Sequence, residues 1–271
     1  MQYRCALTIA GSDSVGGAGI QADIKTMSAL GVYAASAITA VTVQNTQGVH
    51  GIEAIRPEIV GGQISAVMDD IHPTAVKIGM VNDAETIHAI AETLGRYKDV
   101  AVIIDPVMVS TSECRLMQED ALQVFRTELM PLASLLTPNV PEAEILSGIK
   151  IETVDDMDRA ANKICREAGC AVLVKGGHLD GNTKTDILYA DGQRVETFEA
   201  QTVETRNTHG TGCTLSSAIT AHLALEYTMA DAIRLAKTYL YKALEAGKDV
   251  EIGRGHGPVN HFFNPHPYYT K

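Results

Sequence analysis

The stretch Val100-Ala101-Val102-Ile103-Ile104-Asp105-Pro106 is an unbroken apolar run that ends in an acidic turn. Such runs are typical of central strands in a parallel sheet, because helices cover both faces of these strands. Comparable runs recur along the chain, and helical spacing of apolar residues follows most of them. They are Ala6–Ala10, Ala37–Val43, Ala75–Met80, Leu135-Leu136 and Ala171–Val174. The alternation predicts an α/β protein with a mostly parallel central sheet between two helical layers, a three-layer α/β/α arrangement.

Local signals place the helices and one hairpin. Pro57 suits a first helical turn, and Asn82 with Glu85 resembles a capping box. A helix is expected to begin at Thr153 and to end at Gly169, and the dipeptide Asp191-Gly192 predicts a hairpin. Two long helices are expected at about Cys213–Leu225 and Met229–Ala246. Because neither a low-complexity linker nor an internal repeat interrupts the pattern, we expect one domain over residues 1–271.

Composition narrows the class of protein. The 271 residues carry 22 Lys and Arg against 33 Asp and Glu, a formal charge of −11. A broad nucleic-acid footprint needs a clustered basic face, so no nucleic-acid partner is expected. The most apolar stretch, Tyr33–Val43, falls far short of the roughly 20 residues that a membrane-spanning helix needs, so no membrane partner is expected. Five widely spaced cysteines without a paired CxxC motif indicate free thiols, and a reducing cytoplasm is their expected location.

Polar and glycine-rich segments stand at the ends of the predicted strands. In open α/β sheets, ligands bind outside the carboxyl ends of the strands. The clustering therefore indicates one functional edge, although every α/β protein has turns at these positions. The segments are Gly11-Ser12-Asp13, Gln44-Asn45, Gly79-Met80, Asp105-Pro106, Thr137-Pro138-Asn139 and Lys175-Gly176-Gly177.

The segment Asn207-Thr208-His209-Gly210-Thr211-Gly212-Cys213 directly precedes a predicted helix. Glycines let successive backbone N–H groups converge, and the positive end of the helix adds to their field. The segment predicts an anion site, and the alternative is a loop that merely starts a helix. It is not a Walker A loop, since the chain has no GxxxxGK[ST], and the first βα turn is not a dinucleotide-binding GxGxxG.

Charged residues at neighbouring strand ends extend this hypothesis. Lys175 could reach a phosphate as a point charge, or it could simply be solvated. Asp105, Asn139, Glu142 and Glu144 supply hard oxygen atoms, and Mg²⁺ on a nucleotide usually takes one or two carboxylates. The two glutamates could equally be ordinary acidic residues of a first helical turn after Pro141. Their spacing leaves both interpretations open.

A series of segments resembles, in order, the motifs of the bacterial hydroxymethylpyrimidine and phosphomethylpyrimidine kinases of thiamine synthesis. The resemblance covers essentially the whole chain. It implies a ribokinase-like fold and two successive ATP-dependent phosphorylations, of 4-amino-5-hydroxymethyl-2-methylpyrimidine and then of its monophosphate. The segments are Thr8–Asp13 with Gly16–Asp23, Gln44–Thr46, Lys77–Met80, Asp105–Met108, Thr137–Glu142, Lys175–His178, Asn207–Cys213 and the tail Gly255–His261.

The resemblance also implies residues that bind the pyrimidine. Asp23 and Gln44 would hydrogen-bond the aminopyrimidine, and Lys237 would hold the substrate phosphate in the second step. By the same resemblance, four further residues would line the pocket of this ring. These lining residues are Gly11, Ala18, Met80 and Val107.

For the other substrate, the resemblance implies that Lys175, Thr208 and the loop 210–213 face the ATP phosphates. Asp105 and Glu142, with Asn139, would organise Mg²⁺ and its waters. In the wider superfamily an Asp often ends the loop, whereas this chain has a thiol. A helix N-terminus lowers the pKa of a thiol, so Cys213 is predicted to be a thiolate general base. In the alternative, Cys213 only packs, and the N–H groups of Gly210, Thr211 and Gly212 do the work.

The nearest alternative function is that of a pyridoxal or pyridoxine kinase on the same fold. Gln44 and the thiol at the end of the loop favour the pyrimidine kinase. A flap over the substrate is expected at 109–115, where some relatives that also phosphorylate pyridoxal carry a Cys directly after the Val. This chain has Ser110 there, with Cys114 four residues on.

Two further classes of protein share parts of this pattern. A nucleotide-dependent oxidoreductase is disfavoured because GxGxxG is missing, and a vitamin-binding protein without catalysis would need neither Asp105 nor Lys175. The family suggests a homodimer.

Overall fold

The central sheet is built from nine strands. The computed structural model describes residues 1–108, 117, 118, 120–177 and 183–270, so the expected flap at 109–115 and His178 lie outside the described residues. The strands are β1 (Cys5–Ser12), β2 (Tyr33–Asn45), β3 (Gly48–Ala54), β4 (Ala75–Ile78), β5 (Ala101–Ile104), β6 (Leu135–Leu136), β7 (Ala171–Lys175), β8 (Thr183–Ala190) and β9 (Gln193–Gln201). Their order in the sheet is β3-β2-β1-β4-β5-β6-β7-β8-β9.

The middle of the sheet is parallel. Parallel pairing joins β2, β1, β4, β5, β6 and β7, while β3, β8 and β9 pair antiparallel at the two edges. Every residue of β4 is buried, as is every residue of β5 after Ala101. The prediction of a mostly parallel sheet with buried central strands is confirmed.

Helices cover both faces of the sheet. Their bounds are α1 (Gly19–Ala29), α2 (Pro57–Asp70), α3 (Ala84–Leu94), α4 (Ala121–Val124), α5 (Val140–Ser147), α6 (Val154–Ala168), α7 (Thr211–Ala224) and α8 (Met229–Gly247). A π turn at Phe125–Leu129 and a 3₁₀ turn at Met130–Leu132 continue α4. Two apolar cores separate the layers: one packs α2 to α6 on one face, and the other packs α1, α7 and α8 on the opposite face.

Most local signals are confirmed. Pro57 is the first residue of α2, and Gly169 ends α6 with φ 68°. The Asp191-Gly192 turn connects β8 to β9 with both residues at positive φ. The capping box expected at Asn82 and Glu85 is wrong by one residue. The carboxylate of Asp83 accepts the N–H of Thr86 at 2.8 Å, because Asp83 is the extended residue at which the chain enters α3.

Within the described residues, no helix combines the length and the apolar character that would be needed to cross a membrane.

Candidate active site

The carboxyl ends of β5 and β7 bring an acid and a base together. Nζ of Lys175 lies 2.8 Å from Oδ1 of Asp105, and the hydroxyl of Thr137 donates to the same oxygen at 3.1 Å. A Cβ atom placed on Gly212 would lie 3.3 Å from Oδ2 of Asp105 and 3.5 Å from Nζ of Lys175. The first turn of α7 therefore rests against this ion pair, and strand-end residues far apart in sequence share one site.

Electrostatics keep both members of the pair charged. Burial raises the pKa of Asp105, but the positive charges of Lys175 and Lys77 outweigh burial and lower it. Burial lowers the pKa of Lys175, but Asp105 and Glu142 outweigh this effect and raise it. A positive Lys175 at the N-terminus of a helix is the arrangement that a phosphate group needs.

Asn139 and Glu142 form the capping box of α5. Oδ1 of Asn139 accepts the N–H of Glu142 at 2.9 Å, and Oε2 of Glu142 accepts the N–H of Asn139 at 2.8 Å. Burial, helped by the negative charge of Asp105 and opposed by Lys175, raises the pKa of Glu142 to about 7. Two mutually repelling carboxylates fit a divalent cation, because a cation would favour the charged form of both. Among the described residues, no group of three or more His, Cys, Asp or Glu side chains could hold a metal ion.

Gly210 sets the shape of the predicted anion loop. It has φ +79°, and a Cβ atom there would lie 1.8 Å from the carbonyl oxygen of Gly17. Glycine is thus required both by the left-handed conformation and by the close approach of the first βα turn. The backbone of Thr208 accepts the N–H of Thr211 at 3.3 Å, and α7 begins at Thr211. The N–H groups of the first turn of a helix lack partners within the helix, so they remain suited to an anion.

The thiol of Cys213 departs from the expectation of a lowered pKa. Burial, together with the nearby carboxylates of Asp23 and Asp105, raises the pKa to about 11, although Lys77 opposes the rise. The thiol is therefore protonated at neutral pH in the free protein. The helix N-terminus was expected to stabilise a thiolate, but burial beside two carboxylates has the larger effect. The role of Cys213 as a base stays a prediction.

Asp23, to which the resemblance assigns a role in binding the pyrimidine, is fully buried, and that role stays a prediction. Its carboxylate oxygens lie 2.8 and 3.0 Å from Nζ of Lys77, and neither side chain is exposed. The hydroxyls of Thr8, at 2.6 Å, and of Ser217 also donate to this carboxylate. Four donor contacts thus surround the Asp23 carboxylate, and no part of this side chain is exposed.

A small apolar wall lies beside these groups. Met80 and Ala40 form a small buried cluster, and Ile52 and Val107 pack against it. A Cβ atom on Gly11 would lie 3.2 Å from the sulfur of Met80, so Gly11 belongs to the same wall. The predicted lining residues Gly11, Met80 and Val107 therefore share one location, and Ala18, the residue before α1, donates its N–H to Asp13 at 2.8 Å.

Gln44 lies next to the loop that precedes α7. Its half-buried amide is 3.4 Å from Nε2 of His209 and 3.2 Å from Oγ1 of Thr42. Lys237 lies elsewhere along the edge, where its Nζ binds Oδ2 of Asp186. The other oxygen of Asp186 accepts the N–H of Gly176 at 3.0 Å, so Lys237 borders the turn that follows Lys175.

The sequence analysis quoted three residues of this edge within its motifs but assigned no role to them. Asp13 accepts the N–H groups of Val15, Gly17 and Ala18, and Nε2 of His209 lies 2.9 Å from its carboxylate. Lys77 is the third of these residues. A lysine within an otherwise apolar strand is a sequence signal for a buried charge. A buried charge is rarely kept without a partner.

The three-layer fold, with charged and glycine-rich groups gathered at one edge of its sheet, is the ribokinase-like fold of small-molecule kinases. The phosphomethylpyrimidine kinase family model matches residues 13–260. A hydroxymethylpyrimidine/phosphomethylpyrimidine kinase of Rhizobium meliloti is 52% identical over 95% of this chain and 96% of its own length. The chain belongs to the phosphomethylpyrimidine kinase family.

Solved structures agree with this assignment. The crystal structure of phosphomethylpyrimidine kinase from Clostridium difficile has a TM-score of 0.79 and 47% identity over 89% of this chain and 99% of that one. An ADP complex of Bacillus subtilis pyridoxal kinase has a TM-score of 0.88 and 36% identity over 96% of this chain and 98% of that one. The fold prediction is confirmed, and the ADP complex agrees with the use of ATP that a kinase family implies.

Proposed function

We propose that the chain phosphorylates the hydroxymethyl group of 4-amino-5-hydroxymethyl-2-methylpyrimidine with ATP, and then phosphorylates the monophosphate to the diphosphate used in thiamine synthesis. The observation that carries the proposal is the placement of the Lys175–Asp105 pair against the first turn of α7. The names of family members, which state both kinase activities, support the choice of substrate.

Phosphoryl transfer depends mainly on positioning and on charge stabilisation. Lys175 and the N–H groups of Gly210, Gly212 and Cys213 would hold the transferred phosphate, with Thr208 and Thr211 beside them. In the second step, Lys237 would approach the phosphate already present on the substrate.

We further propose that Mg²⁺ binds between Asp105 and Glu142, where it would neutralise phosphate charge. Asn139 would hold Glu142 in place through the capping box. The raised pKa of Glu142 supports this location, since a bound cation would favour the ionised form.

The pyrimidine would lie between the amide of Gln44 and the wall formed by Gly11, Met80 and Val107. An aminopyrimidine has an apolar face with hydrogen-bonding groups at its edge. Such a ring suits a site with one amide and a thioether, because the amide supplies both a donor and an acceptor. Cys213, at the first turn of α7, would take the hydroxyl proton.

The test is a coupled assay of ADP release with ATP, Mg²⁺ and the pyrimidine alcohol, followed by mass spectrometry of the products. We expect mass increases of one and then two phosphate groups. Lys175→Met should abolish most turnover, while Lys242→Ala on the exposed side of α8 should not change it. ADP release with pyridoxal and none with the pyrimidine would instead support the pyridoxal kinase alternative, which the Bacillus subtilis structure makes the second candidate.

We also propose one domain over residues 1–271, a homodimer and a cytoplasmic location. One sheet with strands from Cys5 to Gln201 supports the single domain. Val41 and Val43 are 45% and 64% exposed on β2 near the sheet edge, which suits a contact between copies. Light scattering tests the dimer, with an expected mass of twice the 29.0 kDa of one chain.

A further inference from the structure

The proton on His209 can be placed from its partner. Oδ2 of Asp13 lies 2.9 Å from Nε2 of His209 and also accepts the N–H groups of Gly17 and Ala18. Burial raises the pKa of Asp13, but the bond from His209 and the backbone N–H groups outweigh burial, so the pKa is lowered. The carboxylate is therefore ionised at neutral pH and can only accept. Nε2 of His209 must carry a proton and donate it to Asp13.

The amide of Gln44 lies between His209 and Thr42. Its nitrogen is 3.4 Å from Nε2 of His209, and its oxygen is 3.2 Å from the hydroxyl of Thr42. The hydroxyl of Thr42 donates to the carbonyl of Ser12 at 3.0 Å. In this orientation two donors face each other at His209, and two carbonyl oxygens compete for one hydrogen at Thr42. Exchanging the two ends of the amide replaces the donor–donor contact by a shared bond, because the Nε2 proton that is directed at Asp13 can also be accepted by the amide oxygen. The amide nitrogen then donates to Thr42, whose own hydrogen goes to Ser12 alone.

We infer that the Asp13–His209 pair fixes Gln44 with its oxygen toward His209, and so sets the direction in which the aminopyrimidine binds. This inference rests on the proposed function. The two contacts use one lone pair and one hydrogen of the amide, which leaves one of each for a ligand. These remaining groups match an amino group, which donates to the oxygen, and the adjacent ring nitrogen, which accepts from the N–H.

The direction matters for the reaction. In the proposed substrate the carbon with the hydroxymethyl group neighbours the carbon with the amino group, on the side away from the paired ring nitrogen. An amino group at the His209 end therefore directs the hydroxymethyl group toward the residues that follow His209, which are Gly210–Cys213. The opposite orientation would direct the reacting hydroxyl toward Thr42. His209 is thus a positioning residue, and it acts through Gln44.

The test compares the substrate with its 4-oxo analogue, in which the donor and the acceptor on this edge are exchanged. In His209→Leu the amide is free to turn, so the preference for the amino compound in kcat/KM should fall by about tenfold to hundredfold. His209→Gln keeps an N–H donor near the position of Nε2 and should retain the preference, and the KM for ATP should change little. His261→Leu is the matched control, because His261 is also buried and its Nε2 lies 3.2 Å from the hydroxyl of Thr214.

An unchanged preference in folded His209→Leu would overturn the inference. Nitrogen-15 spectra of the wild-type histidines test the first step independently. We expect the spectra to show a proton on Nε2 of His209 at pH 7. An unprotonated Nε2 would overturn the inference, and this measurement decides it even if His209→Leu fails to fold. If the wild-type protein does not phosphorylate the amino compound at all, the proposed function fails, whereas the spectra still decide the orientation of the amide.

Discussion

Nζ of Lys77 lies 2.8 and 3.0 Å from the two carboxylate oxygens of Asp23, and both side chains are fully buried between β4 and α1. The hydroxyl of Ser217 contacts both Asp23 and the carbonyl of Cys213, and both charges of the pair affect the Cys213 thiol. Lys77 favours the thiolate and Asp23 opposes it. The pair thus connects the core of the protein to the glycine-rich loop that precedes α7.

We expect removal of either member of this pair to be strongly destabilising. Lys77→Met leaves a buried carboxylate, and Asp23→Leu leaves a buried ammonium, so each should lose about 3–5 kcal/mol of unfolding free energy. The double variant should lose less than the sum, because it leaves no unpaired charge. Urea unfolding of the four proteins measures this, with the exposed Lys242→Met as a control within about 0.5 kcal/mol of wild type. Strictly additive losses would contradict the coupling.

For Cys213, the expected signature is a pH dependence. With a pKa of about 11, the thiolate fraction rises about tenfold per pH unit below that value. If Cys213 is the base, turnover should increase from pH 7 to 10, and Cys213→Ala should lower turnover by roughly 10²–10⁴. In Cys213→Asp the rise in turnover should occur at lower pH, because a carboxyl group ionises at lower pH than a thiol.

The affinity for ATP should change little in Cys213→Ala, since the backbone donors of the loop remain. Near-normal turnover of this variant would remove the base role and leave an anion site alone.

Lys237→Ala should reduce kcat/KM for the monophosphate more than for the alcohol. The charge of Lys237 matters most when the substrate already carries a phosphate. Equal reductions would instead indicate that Lys237 acts through Asp186 on the turn at Gly176, where the structure places its contact. Lys242→Ala, on the same helix and exposed, provides the control.

Glu142 should make stability depend on pH. Its pKa is about 7 in the folded protein and about 4.5 when unfolded, so the folded state binds more protons between these values. The unfolding free energy contributed by this group therefore falls as pH rises from 4.5 to 7, by about 2–4 kcal/mol in total. Glu142→Gln retains a capping residue and should remove this fall.

Urea unfolding of wild type and Glu142→Gln from pH 4.5 to 8 measures the difference. Parallel curves for the two proteins would show that Glu142 ionises normally. Mg²⁺ with ATP should lower the pKa of Glu142 and reduce the difference between the two proteins, and the same variant should have reduced turnover.

The sequence predicted the architecture because its signals are local. Continuous apolar runs such as 100–104 report burial on both faces, and Thr153 and Gly169 fix their helix ends through short-range hydrogen bonds and a left-handed residue. The start of α3 could not be predicted to the exact residue. Asn82 and Asp83 are both favourable N-cap residues, and only the path of the chain into the helix selects Asp83.

The sequence by itself determined the parallel α/β sheet, the position of polar residues at the carboxyl ends of its strands, and the family motifs. The tertiary structure decided which charges meet. Asp23 and Lys77 are 54 residues apart, Asp105 and Lys175 are 70 apart, and Asp13 and His209 are 196 apart. Those contacts follow from the order of the strands and from the packing of α7 against the edge of the sheet. A pKa depends on burial and on neighbours in space, so the raised pKa of Cys213 could be seen only in the folded chain. The same holds for the contacts of the Asp23 carboxylate with Lys77 and Ser217.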